Sequence, residues 1–328
     1  MSTTRWIDTL KNDLDSAINE LIDEVKLPEN ANVFKYVNYA FEKAFEINQK
    51  AIFDNSVIMY NLIHYSYDQI LTQVVGTFET QTTTQKKGFI IVYESNQINY
   101  IINKKYDAQK FLRRLLNYTG KNEIVKNSSD LDTNFFIWLI SRVYNSQNTF
   151  DISDQKTITA KFIKGIKGDV SDLQTRVAAD GESVISIIST LAFLLESNNL
   201  KQVKVDLSYE NCETGESHEN ISLILQKDTI NIDLSSYQGI YEHDNDDEKI
   251  AKLYLLIYLD IFPNLLQEYY ADIYNELWSK SILIEFLESV ANTIQSKVDR
   301  RIGELASLRN DQNNERADSS ATLQQSIK

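Results

Sequence analysis

The sequence predicts an α+β (mixed α/β) fold with a helical N-terminal layer, a central mixed β-sheet with packed helices, and a C-terminal helical arm. Three observations carry that expectation. Apolar residues recur at three- and four-residue steps toward both ends of the chain. Between about residues 88 and 234, short β-branched and aromatic runs alternate with polar residues. Glycine and proline are scarce, 9 and 2 of 328 residues, so connections are short and elements long.

Residues 4–27 place Ile7, Leu10, Leu14, Ala17, Ile18, Leu21 and Val25 on one helical stripe with acids between them. Pro28 ends that helix, and 29–32 link it to the next. Residues 33–53, rich in Phe and Tyr, and 57–74, carrying Ile58, Leu62, Ile63, Ile70 and Leu71, read as two further helices. With the Thr-rich stretch 77–84 as a linker, residues 1–84 form the expected helical N-terminal region.

The pattern changes at Gly88. Residues 89–93 and 98–102 flank a four-residue polar turn, a hairpin signature. Helices follow over 106–118, closed by Gly120, and over 131–144. The organising unit spans 157–210: an alternating strand through Ile158, Ala160 and Phe162, a basic turn at 161–169 containing Gly165 and Gly168, an apolar helix at 184–195, and an alternating strand at 201–210. Strands at 221–225 and 229–234 complete an antiparallel meander, so residues 85–240 form an α/β core. The acids of 244–248 favour a helix start. That helix runs to Pro263, a second covers 265–277, and a third carries Leu287, Ala291, Ile294, Val298, Ile302 and Leu305 at the period of a straight amphipathic helix. These C-terminal helices occupy 241–308. The polar remainder, 309–328, reads as a disordered tail.

Charge and composition narrow the function. A net charge of −14 argues against a generic nucleic-acid coat or a binder of anionic membranes. The single Cys212 cannot form an intramolecular disulfide, which suits a reducing compartment. The uninterrupted apolar blocks at 184–195 and 253–262 fall short of the ~20 residues a bilayer needs. A cytoplasmic protein without membrane insertion is therefore expected. The abundance of Ile, Asn, Tyr and Phe is the bias a low-GC bacterial genome imparts.

Three constellations bear on chemistry. A basic belt over 86–126 holds Lys86, Lys87, Lys104, Lys105, Lys110, Arg113, Arg114, Lys121 and Lys126, with Tyr93, Tyr100, Tyr106 and Tyr118 interleaved. Cations beside tyrosines suit phosphate contact with base stacking, so Lys104, Lys105, Lys110, Arg113 and Arg114 are candidate nucleic-acid contacts. The competing readings are a solvated face, or a belt that docks on the acidic segment 210–248. The 161–169 turn adds Lys161, Lys164 and Lys167, whose neighbouring glycines can expose amides to a phosphate; a tight turn is the plainer reading. Asp206 and Asp233 lie on the polar phase of their strands and are the candidate metal carboxylates of a divergent metal-dependent nuclease. That chemistry also wants an acid two residues before a strand lysine, whereas Leu225 precedes Lys227. Cys212, His218 and His243 match no zinc spacing, and nucleotide-loop, hydrolase, kinase and thiol-redox motifs are absent. No cofactor is expected. The leading expectation is a non-enzymatic interaction component of a bacterial multiprotein system, a homo-oligomer or the companion of a protein partner, assembled through amphipathic helices. Nucleic-acid binding through the belt is the alternative, and the nuclease a second.

Overall fold

In the computed structural model, which describes residues 2–23, 34–53, 56–75, 78–104, 106–127, 131–170, 176–180, 188–212 and 217–325, strand pairing sorts the chain into two antiparallel sheets. The first contains β1 (Thr4–Asp8), β2 (Phe34–Lys43), β3 (Gln49–Phe53), β4 (Ser56–Val75), β5 (Phe78–Glu94), β6 (Ile98–Ile102) and β7 (Ile124–Lys126), ordered β2-β4-β5-β6-β1-β7 with β3 also on β4. The second contains β8 (Thr149–Ser153), β9 (Lys156–Val170), β10 (Arg176–Asp180), β11 (Ser197–Asn211), β12 (Ser217–Gln226) and β13 (Thr229–Ile232), ordered β10-β9-β11-β12-β13 with β8 on β9. The helices are α1 (Leu14–Ile22), α2 (Ala108–Leu115), α3 (Thr133–Tyr144), α4 (Ile188–Glu196), α5 (Asp246–Leu256), α6 (Phe262–Tyr274) and α7 (Lys280–Gln325). The α+β class holds, with two antiparallel sheets in place of one mixed sheet. The expected meander of the last three strands is present as β11-β12-β13, and the hairpin at 89–102 as β5-β6.

The N-terminal helical layer is the main correction. Residues expected as helices over 33–53 and 57–74 form β2, β3 and β4 instead. The reason is that the first sheet is buried on both faces. Ile58, Tyr60 and Leu62 of β4 enter the main core, while Ile63, Tyr65 and Tyr67 enter a second core against α1 and α2. Apolar residues then occur in both phases of the strand, and a subset of them matches helical spacing. The expected first helix starts as β1, and the chain becomes helical only where the Asp13 side chain accepts the Ser16 amide at 2.7 Å. Its last residues, 24–27, with Pro28 and the 29–32 link, lie outside the described residues. The threonines expected as linker belong to β5, with residues 76 and 77 outside the described set.

In the second sheet the expected turn at 161–169 lies within β9. The register skips Lys161 and Lys164 on β9, so the strand bulges twice, and Gly165 and Gly168 sit in the ladder between β10 and β11. The apolar helix after it is α4, the part at 181–187 being outside the described residues.

The C-terminal helices join the two sheets. The sequence divides them at Pro263, but α5 and α6 form one run through a π-helical turn, Ile257–Ile261. The turn's wider hydrogen bonding, Phe262 to the Ile257 carbonyl, carries the chain past the proline that lacks an amide hydrogen. This run, Asp246–Tyr274, is long and apolar enough by length and composition to cross a membrane, yet 67% of its most apolar window is buried inside the fold. The Tyr254 ring lies 5.6 Å from Phe89 of the first sheet. Asp260, in the π turn, accepts from Tyr209 Oη at 2.6 Å and Lys156 Nζ at 3.2 Å in the second. A bridge between Thr3 and Ile230 ties the sheets directly, and Arg5 donates to the Tyr258 carbonyl at 2.6 Å. Beyond the expected end at 308, the backbone continues in helix to Gln325, a stretch with no proline or glycine to stop it.

Candidate functional site

The proposed nucleic-acid residues fall into two groups on different sheets. Beside the first sheet, Lys104 lies on an aromatic cluster: its Nζ is 5.0 Å from the Phe111 ring centre and 3.1 Å from Tyr67 Oη. Tyr36, Tyr39 and Tyr65 complete the cluster. Burial pushes the Tyr39 phenol up to about 12, against the smaller opposing effect of Arg114. Arg113 donates to the Thr119 carbonyl at 3.0 Å and sits 3.8 Å from Glu123, while Lys110 is exposed and Lys126 pairs with Asp228 at 3.7 Å. Lys105 lies outside the described residues. Lys104 and Arg113 thus contribute to local packing, and the belt's remaining described cations are spread over β5, α2, the connection after α2 and β7.

The second group surrounds a cavity of about 190 Å3 on the open face of the second sheet. The two bulges of β9 aim Lys161 at Asn220, 2.6 Å away, and Lys164 at Asp206, also 2.6 Å away. Ser222, Ser236 and Gln238 line the rest. Lys167 stands farther along β9, opposite Gln202 and Ala178. Asp206 and Asp233 flank Ser222: Asp206 is its register partner on β11, and the Asp233 amide donates to its carbonyl at 2.9 Å. Two strand spacings, about 10 Å, therefore separate the carboxylate-bearing residues. The Asp233 carboxyl is held below the usual range by the Ser235 hydroxyl, outweighing burial, with help from Lys204 and Lys164. Asp206 is thus neutralised by Lys164, while Asp233, two strands away, is held by Ser235. Among the described residues no three His, Cys, Asp or Glu side chains come together to hold a metal ion. Ser236 and Gln238 were not legible as partners of this cavity, because they follow the meander and reach it only through tertiary folding.

The apolar stripe of α7 is different in kind. At its start, Leu287 and Ile294 of the stripe pack against the core beside buried Phe286 and Val290, while Ala291 is exposed. Tyr144 of α3 anchors this half, its ring 5.6 Å from Phe286 and its hydroxyl 2.6 Å from Thr293 Oγ1. The stripe continues as Val298, Ile302 and Leu305, which are 38%, 60% and 51% exposed. Every residue from 298 to 307 is exposed, so the helix has left the body of the fold while keeping its apolar face. Glu304 meanwhile takes Arg301 at 3.1 Å and Arg300 at 3.7 Å, the one-turn charge pairs of a solvated face. Further exposed apolar side chains gather at the junction of α6 and α7, among them Ile273, Tyr274 and Leu277. Compared with models of known protein families and with curated proteins, the chain matches none.

Proposed function

We propose that this chain is a non-enzymatic assembly protein that docks through the exposed half of α7, with a second copy of itself as occupant and a helix of a protein partner as the variant of the same reading. The observation that supports it is the continuity of one apolar stripe from Leu287 and Ile294, which pack against the core, to exposed Val298, Ile302 and Leu305. A solvated helix has no use for such a face, whereas burying it in a helix–helix contact is worth about 1.5–3 kcal/mol for each side chain fully removed from water. A reducing cytoplasm, suited by an exposed unpaired Cys212, fits the same reading. The test is the solution mass of the native chain and of Val298→Glu/Ile302→Glu/Leu305→Glu. The native chain associates, and the variant falls to a smaller mass while keeping its circular-dichroism spectrum. An unchanged mass in the variant rejects the proposal. The nucleic-acid reading draws on the convergence of Lys104 and Arg114 on an aromatic cluster. It predicts binding that weakens steeply with salt.

A further inference from the structure

The hairpin of β4 and β5 extends well past the rest of the first sheet. Register runs unbroken from Met59↔Glu94 to Val75↔Phe78, while β6 pairs with β5 only from Ile90 to Glu94. The side chain of Asn103 closes the ladder there, its Oδ1 accepting the Phe89 amide at 2.7 Å. Beyond that point β2 covers the far side of β4, and among the described residues no strand lies along the outer side of β5 from residue 78 to 88. Residues 80–87 are all exposed. A strand of this length with an open edge is a template for another strand, and folded proteins ordinarily blunt such edges with charge, proline or a bulge. Here 80–85 reads Thr-Gln-Thr-Thr-Thr-Gln, and the ladder to β4 has no register shift over it.

The sequence also says what fits. About Thr83 the strand is nearly palindromic: Thr82 and Thr84 flank it, then Gln81 and Gln85, then Thr80 and Lys86, then Glu79 and Lys87. We propose that β5 pairs antiparallel with β5 of a second copy about a two-fold axis at Thr83, giving a sheet continuous across the two chains. In that register threonine meets threonine, a favourable cross-strand pair, and glutamine meets glutamine, whose amides can donate and accept across the ladder. Glu79 falls opposite Lys87 of the second copy, at both ends of the ladder. The lysine pairs of the two copies are carried to opposite ends, so no like charges meet. A heterologous strand would not need that symmetry. The contact is isologous and separate from α7.

The two-fold position supplies the experiment. In the proposed register residue 83 faces itself, so Thr83→Lys sets lysine against lysine, Thr83→Glu sets glutamate against glutamate, and a mixture of the two sets lysine against glutamate. Each variant is made in the full chain, both native and carrying the α7 triple substitution, and mass is read by light scattering. With α7 disabled, the expected result is a dimer for Thr83, monomers for each charged variant alone, and a one-to-one dimer on mixing. Recovery on mixing also shows that the variants are folded. A monomer for Thr83 in this background, a dimer that survives Thr83→Lys, or monomers that do not recover on mixing would each overturn the proposal. None of these outcomes depends on α7, whose own contact is read from the Thr83→Lys chain with native α7.

Discussion

The residues that decide how this chain folds are its buried polar groups. Asp8 is fully buried, and it accepts from Tyr100 Oη at 2.8 Å, Tyr118 Oη at 2.8 Å and the amides of Leu10 and Lys11. Lys156 and Asp260 are an ion pair with 3% and 1% side-chain exposure, so each desolvated charge relies on the other. Asp260→Ala leaves an ammonium buried without its carboxylate and is expected to cost about 3–5 kcal/mol in urea unfolding. Lys156→Met combined with Asp260→Leu should recover most of that loss. Glu219 is also buried, and desolvation raises its carboxyl above the ordinary value despite the hydrogen bond from Tyr237 and the Ile240 amide. A folded pKa above the unfolded one adds stability that is complete below the unfolded value, near 4.3, and is lost as pH rises through the folded value. Glu219→Gln should therefore raise the unfolding midpoint at pH 7 and leave it nearly unchanged at pH 4. The tyrosines follow the same sign at the alkaline end. Burial pushes Tyr93 and Tyr254 up to about 12, and Tyr100, Tyr118 and Tyr258 higher still. Stability should hold up to about pH 10 and fall above it. Phenolate absorbance should then appear largely together with unfolding.

Elements were legible where one face alone is buried or where polar turns and caps mark both ends. Helices α2 and α6 and the β11-β12-β13 meander follow from one apolar face, whereas α3, α5 and the β5-β6 hairpin, which bury more than one face, follow from the polar residues that bound them. The signal failed where burial is two-sided and no turn punctuates a long strand. β4 sends Tyr60 to one core and Tyr65 to the other, and alternation disappears from its sequence. It failed again in β9, where the glycines resembled a turn but accompany bulges that aim Lys161 and Lys164 outward. As for the sites, Lys161, Lys164 and Asp206 were legible as residues, and their meeting was not, because register is a tertiary fact. The α7 stripe was readable throughout; which half is buried was not. That division makes a prediction of its own. Val290→Ala, in the core half, should destabilise the monomer by on the order of 1–3 kcal/mol, whereas Ile302→Ala should leave unfolding of the monomer within about 0.5 kcal/mol of native. Unfolding of dilute protein measures both.

At the scale of the whole molecule, the net charge of −14 separates the two main readings. Copies of an acidic chain repel one another, and salt screens that repulsion within about 10 Å at 0.1 M. Apolar docking through α7 should tighten as salt is added. Nucleic-acid binding through Lys104 and Arg114 should weaken. The most direct measurement is sedimentation of the native chain and of Val298→Glu/Ile302→Glu/Leu305→Glu over a concentration series at low and at moderate salt. The account predicts association of the native chain that strengthens with salt, and a smaller limiting mass for the variant at every concentration. A variant that assembles as the native chain does would contradict it.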